Sequence, residues 1–353
     1  MDRRTAILAG ASLLVPAHVS CRRSSAAAER VRLNGAGATL PYPLYSRWIA
    51  EYENVAPEVR INYQAIGSGA AIRQLAAGTV DFGTSELPIS LAGPASAGAG
   101  ITNLPASIGA IAVAVNLPGL GEPLRLEPGV LAAIYGGRTR QWNDPSIARS
   151  NPLAALPARD IKVIHRTDGS GTTDVFSRYL ASSDSAFQQS VGIGKSLRWP
   201  IGIGAKGNEG VAGMVKNTEA SIGYMELAYA RSNALAVAAL RNGAGRFVEP
   251  SVKGATAAAD GVHLQRGLQA SLLNRPGRDA YPIVTFTYVL AREDMADLTK
   301  GRALARFVWW ITHEGQRFAE GLDYAPLPPA VVERVEARLK QLSSQGRLLL
   351  SED

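Results

Sequence analysis

The chain has 353 residues, 46% of them hydrophobic and 19% charged, which suits a globular protein too long for one core, so two domains are expected. Its formal charge of +7 is carried by scattered Lys and Arg with no run of five or six, which argues against a nucleic-acid partner and reads as a solubility and weak-steering effect. Its single cysteine, Cys21, excludes an intramolecular disulfide.

In chain order, Asp2, Arg3 and Arg4 precede an uncharged apolar stretch, Ala6 to Ala17, too short to be a convincing membrane span. This is the pattern of a signal peptide over residues 1–20. A buried helix is the alternative, and the polar segment Arg22 to Ala28 argues against it. Arg3-Arg4 also fits loosely with a twin-arginine signal. Cys21, placed just after cleavage at Ser20, is a candidate for lipid attachment, although His18-Val19-Ser20 matches the usual cleavage box poorly. The alternative is a cysteine with no role. No other segment is suited to spanning a bilayer.

From about residue 30, strand-like and helix-like segments alternate. A helix is expected over Tyr42–Tyr52 and a strand over Val59–Tyr63. A helix at Ala70–Ala77, with Ile72 and Leu75 inward, is stopped by Gly78. Val80–Phe82 reads as a short strand, Leu91–Gly100 as a surface loop and Ile108–Val115 as a strand buried on both faces. Strands follow at Ile161–His165, Ser221–Met225 and Ile283–Leu290, and helices at Thr172–Ala181, Gly210–Lys216 and Ala303–Ala319. The Gly/Ala-rich stretch Asn242–Gly261 reads as a second surface loop. Val331, Val332, Val335 and Leu339, behind Pro328-Pro329, give a terminal helix. The alternation predicts an α/β architecture with mostly parallel sheets.

Three glycine-rich turns each open a helix. They are Gly35-Ala-Gly-Ala-Thr39-Leu40-Pro41, Gly67-Ser68-Gly69-Ala70 and Asp168-Gly169-Ser170-Gly171-Thr172. A helix N-terminus offers unpaired N–H groups and a partial positive charge, glycine admits close approach, and a hydroxyl adds a donor, which together suit an oxyanion. Any one of these turns reads equally as an ordinary N-cap; three of them with a nearby arginine favour an anion site. They match neither a P-loop nor a dinucleotide fingerprint. Gly169-Ser170-Gly171 lacks the spacing of a nucleophilic serine. Trp48, Trp309 and Trp310 read as core rather than sugar platforms. His165, His263 and His313 lie far apart, so no metal and no cofactor are expected.

At these residues the chain resembles the phosphate-binding proteins of bacterial high-affinity phosphate importers. The resemblance covers Gly35–Tyr45, Asn62–Gly69, Val80–Pro88, Trp142-Asn-Asp-Pro145, Arg166–Thr173, Trp199-Pro-Ile-Gly202, Gly207–Ala212, Ser221–Glu226 and Leu322–Leu327. It implies a two-lobed periplasmic-binding fold, type II-like, with two mixed or parallel sheets flanked by helices and joined by a two-strand hinge. Residues 30–106 and 283–353 would form one lobe and residues 107–282 an inserted second lobe.

The resemblance also implies the ligand set. Thr39 and Leu40 would donate from the first turn and Ser68 from the second. Arg166, held by Asp168, would be the single charged donor. Ser170, Gly171 and Thr172 would donate from the third turn. Glu86 would be the acceptor carboxylate, where the family usually has Asp; Leu40 stands where the family usually has an aromatic. Read without the resemblance, Arg166 and Asp168 could equally be a surface ion pair, Glu86 a solvated acid and Asp81 a strand-end or capping acid. The expected function is capture of inorganic phosphate by an exported monomer, not an enzyme, that serves the membrane permease of an importer and meets the membrane only through a lipid anchor. Binding of sulfate or a phosphate ester is the nearest rival, phosphatase activity the next, and an adhesion or signalling protein that kept the fold the last.

Overall fold

The computed structural model describes residues 30–92 and 100–350. The expected signal peptide, Cys21 and most of the Leu91–Gly100 loop lie outside the described residues.

In the first lobe, β1 (Val31–Gly37) leads into α1 (Tyr42–Val55), β2 (Val59–Ala65) into α2 (Ser68–Ala76), and β3 (Phe82–Ser85) into the short α3 (Ile89–Ala92). The long β4 (Ile101–Asn116) then leaves this lobe. After β5 (Arg125–Leu126), α4 (Pro128–Tyr135) and α5 (Pro145–Ala148), the second lobe is built from β6 (Lys162–Arg166), α6 (Gly171–Ser183), α7 (Ser185–Ser190), β7 (Ile203–Ala205), α8 (Gly207–Lys216) and β8 (Ser221–Glu226). Next come α9 (Leu227–Ser232), β9 (Ala236–Val237), β10 (Ala239–Arg241), β11 (Phe247–Val248) and α10 (Val252–Ala259). The chain returns to the first lobe through β12 (Val284–Arg292), α11 (Leu298–Thr312) and α12 (Pro329–Leu339).

Hydrogen bonding orders the main strands β2-β1-β3-β12-β4-β8-β6-β7. Among these strands parallel pairing is limited to β1 with β2 and β3, and to β6 with β7 and β8, where helices make the crossovers; outside them, β5 and β10 also pair in parallel. The centre is antiparallel, because β12 returns from far down the chain to lie between β3 and β4. The sheets are therefore mixed, rather than mostly parallel as alternation alone suggested. β4 belongs to both of them. Its residues Ile101 to Ala110 pair with β12, and Ile111 to Asn116 pair with β8. It is buried along its length up to Val115, which explains its unbroken apolar reading.

The helices bury the faces their spacing predicts. In α1, Leu44, Tyr45, Trp48 and Tyr52 are buried, and the Trp48 indole donates to the Gly315 carbonyl at 2.7 Å. Trp310 is buried too and Trp309 half-buried, as core residues. In α12, Val331, Val335 and Leu339 are buried. Several boundaries differ from expectation. β3 begins at Phe82 because Asp81 turns aside to accept from the Asn34 amide at 2.7 Å and pair with Lys300 at 3.0 Å. α11 starts five residues early and stops at Thr312, where His313 leaves helical geometry and a 3₁₀ segment, Glu314–Phe318, takes over. The stretch Asn242–Gly261 is not all loop. Ser251 caps Gly254 N at 3.0 Å and starts α10, whose alanines are strong helix formers.

Candidate functional site

The three glycine-rich turns meet in the cleft between the lobes. Capping accounts for only one of them. Ser170 is the N-cap of α6, its Oγ accepting from Thr173 N at 3.0 Å, while its own amide donates to the Lys195 carbonyl. α1 and α2 are preceded by Pro41 and Gly67, neither of which supplies a side-chain cap. Thr39 and Ser68 are thus free of the capping role, and both are buried. The first amides of α2 and α6 have no partner within their helices. The lobes touch here: Gly69 N, in the first turn of α2, donates to the Gly169 carbonyl at 3.0 Å.

Arg166 ends β6 and is only 4% exposed, so it is no surface residue. Asp168 holds it through two nitrogens: Nε donates to Oδ1 at 2.7 Å and Nη2 to Oδ2 at 2.5 Å. The buried Nη1 has no hydrogen-bond partner among the described residues. Burial opposes the charge on both groups. Their mutual hydrogen bonds and attraction outweigh it, raising the arginine pKa and holding the Asp168 carboxyl below the ordinary carboxylate range. The Gly207 amide also donates to Asp168, at 3.1 Å.

Glu86 follows β3 and is 2% exposed. Its carboxylate accepts from the Thr172 hydroxyl at 2.9 Å and from the Ser68 hydroxyl. A Cβ at Gly171 would lie 2.1 Å from Glu86 Oε2, so glycine at that position is what admits the carboxylate. Leu40 is buried against Gly109, and its carbonyl accepts from the Tyr324 hydroxyl at 2.6 Å. These contacts bring Thr39, Ser68, Glu86, Arg166, Gly171 and Thr172, with Asp168, close together, whereas Leu40 packs inward against Gly109 and Ser170 serves as the α6 cap.

Three contributors were missed. Asn208, in the first turn of α8, reaches across the cleft and donates to Thr39 Oγ1 through its side chain at 2.8 Å and its amide at 3.2 Å. Tyr229 donates to the Thr39 carbonyl at 2.6 Å. Tyr324 secures Leu40. Behind them lies Glu226, whose amide donates to Asn208 Oδ1 at 2.9 Å. Burial pushes the Glu226 carboxyl well above its ordinary range. Among the described residues no cluster of three or more His, Cys, Asp or Glu is placed to hold a metal ion, and no helix is long and apolar enough to cross a membrane.

Two α/β lobes, bridged by a shared strand and closing on buried donors, have the build of a solute-binding protein. A family model described as a PBP superfamily domain matches residues 24–314. The phosphate-binding protein PstS of Xylella fastidiosa is 42% identical over 311 residues, covering 87% of this chain and 84% of that protein. The PstS of Pasteurella multocida is 40% identical over 322 residues, covering 90% and 93%. Among solved structures, a phosphate-binding protein from Stenotrophomonas maltophilia superposes with a TM-score of 0.65 at 17% identity, covering 88% of this chain and 94% of that one. A high-affinity periplasmic phosphate-binding protein solved with phosphate superposes at 0.69 with 20% identity, covering 87% and 93%. The chain belongs to the PBP superfamily and, within it, to the PstS phosphate-binding protein family.

Proposed function

We propose that this chain captures inorganic phosphate between its lobes and delivers it to the membrane subunits of an ABC importer. The observation that carries the reading is Arg166, a buried guanidinium with one nitrogen unpartnered, at a convergence of helix N-termini. Thr39, Leu40, Ser68, Ser170, Gly171 and Thr172 would supply neutral donors to the anion, and Asp168 would orient the arginine. Many neutral donors with one cation solvate the charge without neutralising it, which suits a ligand that must later be released. We place the lobe boundaries at 106/107 and 282/283, close to where β4 exchanges partners. Phosphate bridging both half-sites would favour closure through its differential contacts.

Binding rather than turnover is supported by Ser170, whose Oγ is engaged as a cap. The nearest histidine in sequence, His165, directs Nδ1 to the Arg166 carbonyl. Export through residues 1–20, with lipid attachment at Cys21, is part of the same proposal; intact mass of the envelope-extracted protein would reveal both.

Glu86 gives the reading its specificity. Near neutral pH phosphate retains a proton that it can donate to a carboxylate, and sulfate has none. Sulfate would press an anion against a buried carboxylate with no proton to share, and a site built around such a hydrogen bond rejects the analogue by about 10⁴-fold. Calorimetric titration of the chain lacking residues 1–20 should show tight phosphate binding, arsenate binding and no competition by excess sulfate. Glu86→Gln should admit sulfate, since an amide can donate. Equal affinity of the unaltered protein for sulfate and phosphate would refute the assignment of Glu86.

A further inference from the structure

We propose that Glu86 is also an internal clasp, its carboxylate tying the second lobe to the first through the Thr172 hydroxyl. The consequences for binding rest on the phosphate reading above; the clasp itself is a contact between residues of the chain. Ser68 belongs to the first lobe and Thr172 to the second, and Glu86 accepts a hydroxyl hydrogen bond from each. Its backbone is fixed by the Thr285 hydroxyl, which donates to the Glu86 carbonyl at 3.1 Å, and by Leu87 N, which donates to Ser85 Oγ at 2.9 Å. Both donors stand in the first turn of a helix, where the partial positive charge favours a carboxylate. Gly171 leaves the space for Oε2 to lie against α6.

A hydrogen bond to a carboxylate is stronger than one between neutral groups; the one from Thr172 spans the hinge and shifts the open–closed balance, and the one from Ser68, within the first lobe, holds the carboxylate in place. Closure without ligand then lowers apparent affinity, because an entering anion must reclaim the Ser68 and Thr172 hydroxyls or wait for the open form. Aspartate would carry the carboxylate one methylene less far toward Thr172.

Small-angle scattering of the ligand-free chain, compared with Glu86→Asp and Thr172→Val, tests the clasp directly. Both variants should have a larger radius of gyration than the unaltered protein and should contract more when phosphate is added. In calorimetry Glu86→Asp should bind phosphate about ten-fold more tightly. Thr172→Val, which opens the cleft but also removes a donor, should bind no more tightly. Identical ligand-free scattering for all three proteins would overturn the clasp. Absence of binding heat in all three would instead count against the phosphate reading, and the scattering would still decide the clasp.

Discussion

A guanidinium taken out of water needs partners for all three of its nitrogens, and Arg166 has them on two. Asp168 fixes the plane of the group and leaves Nη1 without a partner among the described residues. A point charge on a flexible stem cannot reproduce this, because lysine lacks the fork that carboxylate and phosphate both fit. Arg166→Ala removes a charge-assisted donor, and phosphate affinity should fall about ten- to over a hundred-fold, as read by calorimetry. An unchanged dissociation constant would show that Arg166 and Asp168 serve only each other. At this scale the sequence was informative wherever a turn announced itself through Gly, Ser and Thr, and its resemblance to a family supplied Arg166 and Glu86. Asn208 was hidden because its helix was expected to begin at Gly210, whereas Gly207 takes a positive φ and starts it three residues earlier. Tyr229 carried no signal, and Tyr324 figured only as part of the resembling stretch Leu322–Leu327. A tyrosine among apolar residues reads as core, and nothing local says that its hydroxyl reaches a main-chain carbonyl far away in the chain.

Among the elements, the starts of α2 and α6 are where backbone meets backbone. Gly67 has φ +86, and a Cβ there would lie 2.7 Å from Asp168 Oδ2 and 2.9 Å from the Gly169 carbonyl. Gly67→Ala therefore combines backbone strain of about 1–3 kcal/mol with a wedge between the lobes. Gly78 also has a positive φ, +70, but open space around it. Gly78→Ala should lower the melting temperature while preserving phosphate affinity, and Gly67→Ala should lower both. Equal affinities for the two variants would mean the lobes do not need this contact. The strands and most helices were legible because a doubly buried strand is apolar throughout and a packed helix repeats every three to four residues. Strand direction was not. The antiparallel placement of β12 depends on a pairing partner remote in sequence, which no local periodicity encodes. α10 escaped because alanine-rich helix and alanine-rich loop differ in composition only by the cap, Ser251.

In the whole molecule the lobes are joined by β4 and by the return into β12, and the two connections are stitched side by side. Ile111 N donates to the Ile283 carbonyl at 2.8 Å, and the Tyr281 hydroxyl donates to the Ile111 carbonyl at 3.0 Å. The same topology has a consequence in time. β12 lies between β3 and β4, and the Ser107 and Thr287 hydroxyls that meet there, at 2.8 Å, are 180 residues apart in the chain. The first lobe is begun first and finished last: as the polypeptide emerges, β3 has no neighbour on its outer side until the whole intervening lobe has appeared. That intervening stretch pairs β6, β7 and β8 from a continuous run and closes much shorter loops. On refolding, pulsed hydrogen exchange should therefore protect the amides of β6, β8 and α6 before those of β3 and β12. Protection of β3 at the earliest time points would mean that the first lobe nucleates without its missing strand, and that the order of assembly is not set by chain connectivity.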